Sequence, residues 1–167
     1  YDLLFVDNDG CVVHTIRGEA DRGMSLFESP WRDTELVRRL RGSPGAAFVD
    51  YHHYEPSGEA SAFFVEPLAV GDCAGWLILQ CTVDKLNRIF DREDFLGRTG
   101  EVFLVNHDRL MLTDSRFRAD TSVLRQHLSA SNIAAKFGER RGHKIIRDYR
   151  GQRALTSFEV VPVMGHK

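Results

Sequence analysis

The chain has 167 residues, 43% of them hydrophobic and 28% charged, with a formal net charge of −2. This is the balance of a folded globular protein, and so small a charge creates no global field to attract nucleic acid or anionic lipid. No stretch approaches the roughly 18 apolar residues of a membrane-spanning helix, and no signal peptide is evident.

In chain order, alternating apolar residues from Leu3 to Ile16 read as a β-hairpin, with Asn8-Asp9-Gly10 as a turn that tolerates positive φ. Arg17 to Leu26 is polar and glycine-containing and reads as loop. Ser29-Pro30 opens a helix, with Ser as N-cap, Pro at its first position and Leu36, Val37 and Leu40 on one face. Gly42-Ser43-Pro44-Gly45 ends it. Three strands follow, Ala46 to Tyr54, Ala60 to Leu68 and Ala74 to Thr82, separated by turn residues. Asp84 caps a second helix with Leu86, Ile89 and Phe90 at i, i+3 and i+4.

A related pattern then begins again. Leu4 to Thr15 is echoed by Leu104 to Asp114, Asp50-Tyr51 by Asp148-Tyr149, and the segment ending at Pro67 by that ending at Pro162, each roughly 95–99 positions later. Val102 to Leu112 is expected to form a hairpin, Thr121 to Phe137 to be helical in parts, and Lys144 to Tyr149 to pair with Gln152 to Val163. The expected organisation is two units, residues 1–83 and 98–167, joined by a connecting helix at 84–97, with the second unit one strand short. The fold class is α+β: two tandem PAS-like units, each an antiparallel sheet with flanking helices.

Thr99 to Asn106 followed by Met111 to Phe117 resembles the second module of a double Cache sensor domain, and Asp50-Tyr51, Tyr54, Pro56-Ser57, Ala62-Phe63, Pro67 and Gly75-Trp76-Leu77 resemble its first. The family supplies the extracytoplasmic ligand-sensing regions of bacterial chemoreceptors, sensor histidine kinases and diguanylate cyclases. The resemblance implies a membrane-distal first unit holding a small metabolite, an organic acid being one candidate. It further implies a membrane-proximal second unit, a membrane-spanning parent working as a homodimer, a periplasmic or extracellular location and a cytoplasmic output domain. The amino-acid receptors of the family carry an Arg and a Trp-Tyr pair in the helical segment; here Trp31 is followed by Arg32 and Asp33.

Candidate ligand-binding residues lie in the first unit. Trp31 beside Arg32 could hold a carboxylate-bearing or aromatic ligand, or Trp31 could staple the helix to the sheet. In a strand without a bulge, Asp50 and Tyr54 share one face and Tyr51 takes the other. Asp50 and either phenol could supply polar pocket groups, although the second Asp-Tyr pair suggests a structural role as well. Phe63 and Trp76 read as core, Trp76 as a cavity floor. Gln80, polar within an apolar strand, needs a partner from ligand or backbone if buried.

No catalytic residue, metal site or cofactor is expected. His52 and His53 point to opposite faces of a strand and cannot readily share an ion. Cys11, Cys73 and Cys81 are odd in number and lack a CxxC spacing. No nucleotide, hydrolase or metalloprotease motif is present. A binding module is therefore expected, with a non-binding spacer or dimerisation module as the alternative and an enzyme as a remote one.

Overall fold

In the first unit β1 (Asp2–Asp7) pairs with β2 (Val12–Thr15), as the alternation from Leu3 predicts. The computed structural model describes residues 1–28, 30–42, 45–90, 96–129 and 139–164. The chain divides into two compact units, Tyr1–Arg92 and Glu93–Lys167. β3 (Ala47–Tyr54), β4 (Glu59–Val70) and β5 (Cys73–Thr82) complete an antiparallel sheet in the order β2-β1-β5-β4-β3. The sheet closes by β1 pairing with β5, the strand furthest from it in sequence within this unit. Among the described residues no helix is long and apolar enough to cross a membrane.

Register fixes two faces. Leu4, Ile78 and Val65 stand in one row, and Val6 and Trp76 in another, all on the inner face. Against this face α1 (Glu35–Gly42) lays its buried Leu36, Val37 and Leu40. Burying three such side chains stabilises by roughly 1.5–3 kcal/mol each before entropy is counted. Leu77 and Leu79 alternate onto the outer face, where each keeps 36% of its area exposed.

Helix α1 begins later than Ser29-Pro30 predicts. Residues 31–34 form turns, and Thr34 is the cap: its hydroxyl accepts from the Val37 N–H and its carbonyl from the Arg38 N–H. Ser29, the expected cap, and Ser43-Pro44, within the expected terminator, lie outside the described residues. Helix α2 (Val83–Phe90) includes Asp84 in its first turn rather than at its cap, and Ile89 of its expected apolar stripe is 63% exposed.

The segment from Arg17 to Leu26, read as loop, and the residues after it to Glu28 are tied into the unit. Val12 N–H donates to the Met24 carbonyl, Gly23 N–H to Val12 and Leu26 N–H to Gly10. Leu26 and Asp21 are both fully buried. Gly10 has φ +79°, and a Cβ there would stand 2.6 Å from the Phe27 ring, so glycine is required twice over.

β3 departs from simple alternation. Val49 pairs with Phe63 and His52 with Ser61, so Asp50 and Tyr51 together oppose the single residue Ala62. This bulge corrects the expectation that Asp50 and Tyr54 share a face. Ala47, Val49, His52 and Tyr54 are the residues whose partners lie on the inner side.

The second unit is built differently from its sequence pattern. Val102 to Leu112 forms an isolated bridge, Val105 with Met111, rather than a full ladder. Arg109 carries the turn at φ +64°, and the Asn106 carboxamide accepts from the Leu110 N–H. Thr121 to Ser129 forms turns and a bridge, not a helix. The reason is local: the Asp114 carboxylate accepts from the Thr121 hydroxyl and Ser122 N–H, and Leu124 sits at φ +54°. The rest of the expected helical stretch, residues 130–137, lies outside the described residues. Among the described residues of this unit, Met111, Leu112, Val123 and Leu128 are the buried apolar ones. β6 (Arg141–Arg147) and β7 (Arg153–Glu159) form the expected hairpin about Gly151.

Candidate functional site

One end of the inner face of the five-stranded sheet is polar. Asp2 pairs with Gln80, Thr82 with Ser61, Ser61 with His52, and Glu59 with Tyr54, which sets these side chains side by side across four strands. Asp2, Ser61 and Gln80 are fully buried and Thr82 nearly so. The Arg17–Glu28 segment adds two carboxylates, Glu19 with 9% of its side chain exposed and Asp21 with none.

Partners divide these groups into two sets. Asp2 is satisfied: its carboxylate accepts from the Thr15 hydroxyl and from the N–H groups of Leu3 (2.7 Å), Ile16 (2.9 Å) and Arg17 (3.0 Å). Burial works to raise its pKa, but these donors outweigh it and hold the carboxyl below the ordinary value. Tyr54 donates to Asp21 Oδ2 at 2.6 Å, and Gln80 Nε2 donates to Ser61 Oγ at 2.9 Å.

The second set has no hydrogen-bond partner among the described residues: Glu19 Oε1 and Oε2, Asp21 Oδ1, His52 Nε2 and Gln80 Oε1. Glu19 Oε1 lies 3.1 Å from Arg17 Nε, an ion pair whose geometry does not make a hydrogen bond. His52 Nδ1 contacts the Asp50 carbonyl at 3.0 Å. A carbonyl only accepts, so Nδ1 carries a proton. Burial raises the pKa of Glu19, opposed by Arg17 and reinforced by Asp2, Asp21 and Glu59. Burial likewise raises Asp21, against the Tyr54 hydrogen bond. The Tyr54 phenol is itself pushed up by burial and then by Asp21.

The sequence-derived candidates scatter around this end. Tyr54, Phe63 and Gln80 come together, with the Phe63 ring 5.0 Å from Tyr54 and 5.5 Å from His52. Trp76 lies further along the same face, half-buried and edge-on to Phe27 at 6.1 Å. Trp31 is partly buried against the core and donates from Nε1 to Glu55 at 3.0 Å. Arg32 is exposed and pairs with Asp33 at 3.6 Å. Asp50 occupies the bulge with Tyr51, whose phenol is pushed up to about 12 by burial, Cys81 and Asp50. The echoed Asp148-Tyr149 sits in another setting, the β6–β7 turn, where Asp148 accepts from the Arg150 and Gln152 N–H groups. His52 packs on Phe63 while His53 is exposed, as alternation predicts.

Sequence reasoning missed Asp2, Glu19 and Asp21. Asp2 precedes the first apolar residue of its strand, and the other two lie in a polar glycine-containing run with no periodicity to read. Among the described residues no cluster of His, Cys, Asp and Glu could hold a metal ion.

No family model matches the sequence, and no curated protein matches it. Solved structures do. The chain is similar to an extracellular ligand binding receptor from Desulfohalobium retbaense, with 16% identity and a TM-score of 0.68 over 99% of this chain and 28% of that one. It is similar to the ligand binding domain of the Pseudomonas aeruginosa amino acid chemoreceptor PctB in complex with L-Gln, with 16% identity and a TM-score of 0.56 over 91% of this chain and 58% of that one. A third likeness is to the ligand-binding domain of the Pseudomonas fluorescens chemoreceptor CtaA in complex with L-isoleucine, with 13% identity and a TM-score of 0.55 over 91% and 58%. The chain thus spans 28% to 58% of the length of these three proteins. At such identities the shared property is architecture, and this chain has the fold of extracellular receptor ligand-binding domains, the sensor-domain likeness read from its sequence.

Proposed function

We propose that this chain is the ligand-sensing part of the extracytoplasmic region of a transmembrane signalling receptor. A small molecule binds at the inner face of the first unit's sheet, and the resulting change passes to a cytoplasmic output domain. The parent protein works as a homodimer with this region in the periplasm or outside the cell.

The observation that carries this reading is the polar end of that face. A packed core ordinarily satisfies its buried polar atoms, because each one left unmade costs roughly 1–3 kcal/mol. Here buried polar atoms of Glu19, Asp21, His52 and Gln80, all on the first unit, lack hydrogen-bond partners among the described residues, in a fold shared with extracellular ligand-binding domains. Binding energy gained there can shift an equilibrium between two states only by its difference between them. The fragment acts by binding and not by turnover.

Differential scanning fluorimetry of the 167-residue chain against amines, amino acids, organic acids, nucleosides and sugars tests this, with hits confirmed by calorimetry and recovered ligand analysed by mass. Saturable stabilisation by an unaltered compound is expected. Silence from every class would overturn the sensing role.

A further inference from the structure

The chain's net charge of −2 conceals a local excess of the opposite sign in the second unit. Residues 139–164 carry six Lys and Arg against three Asp and Glu, whereas the rest of the chain carries sixteen against twenty-one. The β6–β7 hairpin holds that excess. Its register stands Arg141 opposite Glu159, His143 opposite Ser157, Ile145 opposite Leu155 and Arg147 opposite Arg153. Alternation puts these four pairs on one face, and all eight residues are exposed. The other face, where Gly142 lies against the Phe158 ring, is half-buried.

Two adjacent pairs on the exposed face work against the hairpin's own stability. Ile145 keeps 65% of its area in solvent and Leu155 74%, so this aliphatic pair is left wet. Beside it Arg147 and Arg153 stand directly opposite one another, and like charges so placed destabilise a sheet. The Arg147 guanidinium donates to the Gly151 carbonyl at 2.5 Å, a contact that leaves its charge in place. Acid on this face is confined to Glu159, at the far end opposite Arg141. A nucleic acid answers the arginines and leaves the aliphatic pair wet. An apolar protein groove covers the pair and strands two cations, and a second copy of this face brings further arginines against them. An anionic bilayer satisfies both pairs: phosphates meet the guanidinium groups while the aliphatic side chains enter the boundary with the acyl chains. The apolar stems of the arginines suit the same boundary.

We infer that the exposed face of the β6–β7 hairpin docks on an anionic lipid bilayer, with Ile145 and Leu155 entering it and Arg147 and Arg153 on lipid phosphates. This goes beyond the sensing role and does not depend on the first unit's ligand. Charge also selects the face presented. An anionic surface attracts residues 139–164 and repels the acidic remainder of the chain. The attraction reaches only about a Debye length, roughly 8–10 Å at ordinary ionic strength. It is therefore a local property, which the small net charge of the whole chain does not reveal.

The test is co-sedimentation of the 167-residue chain with vesicles of phosphatidylcholine alone, and of phosphatidylcholine and phosphatidylglycerol in equal parts, at low and high salt. Binding is expected to the mixed vesicles only, and should fall as salt rises. Arg153→Gln should weaken it about fivefold. Leu155→Ser and Ile145→Ser should each weaken it about tenfold. Arg88→Gln, at an exposed position of α2, should leave it unchanged. Circular dichroism melting of each variant separates lost docking from lost folding, and the curves should match the parent's because every substituted side chain is exposed. Equal binding to both vesicle types, or to neither, would overturn the proposal. Binding that heparin displaces and that ignores Leu155→Ser would give the face to a soluble polyanion and overturn the bilayer. Self-association without lipid, abolished by Leu155→Ser, would give it to a second copy and overturn the bilayer equally. Each of these results leaves ligand sensing by the first unit standing.

Discussion

The phenol of Tyr54 donates to the buried carboxylate of Asp21 at 2.6 Å, joining the last residue of β3 to a segment 33 positions earlier in the chain. The bond pins the Arg17–Glu28 segment beneath the sheet, because Asp21 is fully buried and Tyr54 is its side-chain hydrogen-bond donor. Tyr54→Phe keeps the ring against Phe63 but leaves Asp21 without that donor. A loss of about 1.5–3 kcal/mol is expected, as for hydrogen bonds to charged groups. Urea unfolding monitored by circular dichroism measures it, and an unchanged midpoint would show that the bond contributes nothing.

The acid-stability profile should have two limbs. Glu19 and Asp21 hold protons more tightly in the folded chain than their ordinary values of 4.5 and 3.8. Their stabilising contribution is therefore complete below those values and is lost as pH rises through the higher folded ones. Asp2 and Asp148 are shifted the other way, so theirs is present above 3.8 and lost as pH falls through the lower folded values. Scanning calorimetry across pH should show the ligand-free chain gaining stability on mild acidification and losing it below 3.8. In the Glu19→Gln/Asp21→Asn variant the first limb should flatten. Equal slopes in both proteins would refute the assignment.

Gly75 lies where β5 passes β1, and a Cβ there would fall 2.1 Å from the Val6 carbonyl oxygen. The obstacle is backbone, which cannot rotate away. Gly75→Ala should cost at least the upper part of the roughly 1–3 kcal/mol typical of overpacking. Gly71→Ala, in open space at φ +58°, should cost about 1 kcal/mol from the backbone conformation. Comparative denaturation of the two variants checks the order.

In the second unit Asp148 closes the β6–β7 turn. It accepts from the N–H groups of Arg150 and Gln152 at 2.9 Å each and from Arg150 Nη2 at 2.6 Å. Asp148→Ala frees two backbone donors and should destabilise the hairpin by about 1–2 kcal/mol. Faster amide exchange confined to residues 141–159 would report it; unaltered exchange there would contradict the role.

How much of this was legible depended on where alternation governs. β1, β4 and β5, and β3 up to its bulge, follow their apolar pattern because the central part of one sheet face is buried. Leu36, Val37 and Leu40 were identified by their helical spacing for the same reason. Pattern fails where polar side chains decide the backbone. Asp114 captures the start of the Thr121 stretch, and no hydrophobic period reveals that. The site was half visible: Tyr54, Phe63 and Gln80 stood out as residues on a strand, whereas Glu19 and Asp21 acquire their surroundings only when the tertiary fold carries their segment under the sheet.

The doubled position in β3 has a consequence for how this strand tolerates length changes. Because Asp50 and Tyr51 share one place opposite Ala62, deleting either leaves a regular ladder in which Val49, His52 and Tyr54 still point inward. Deleting both reverses the parity of everything beyond and turns the Tyr54 phenol outward, away from Asp21. This stretch can therefore shed one codon without loss of its inward set, but not two.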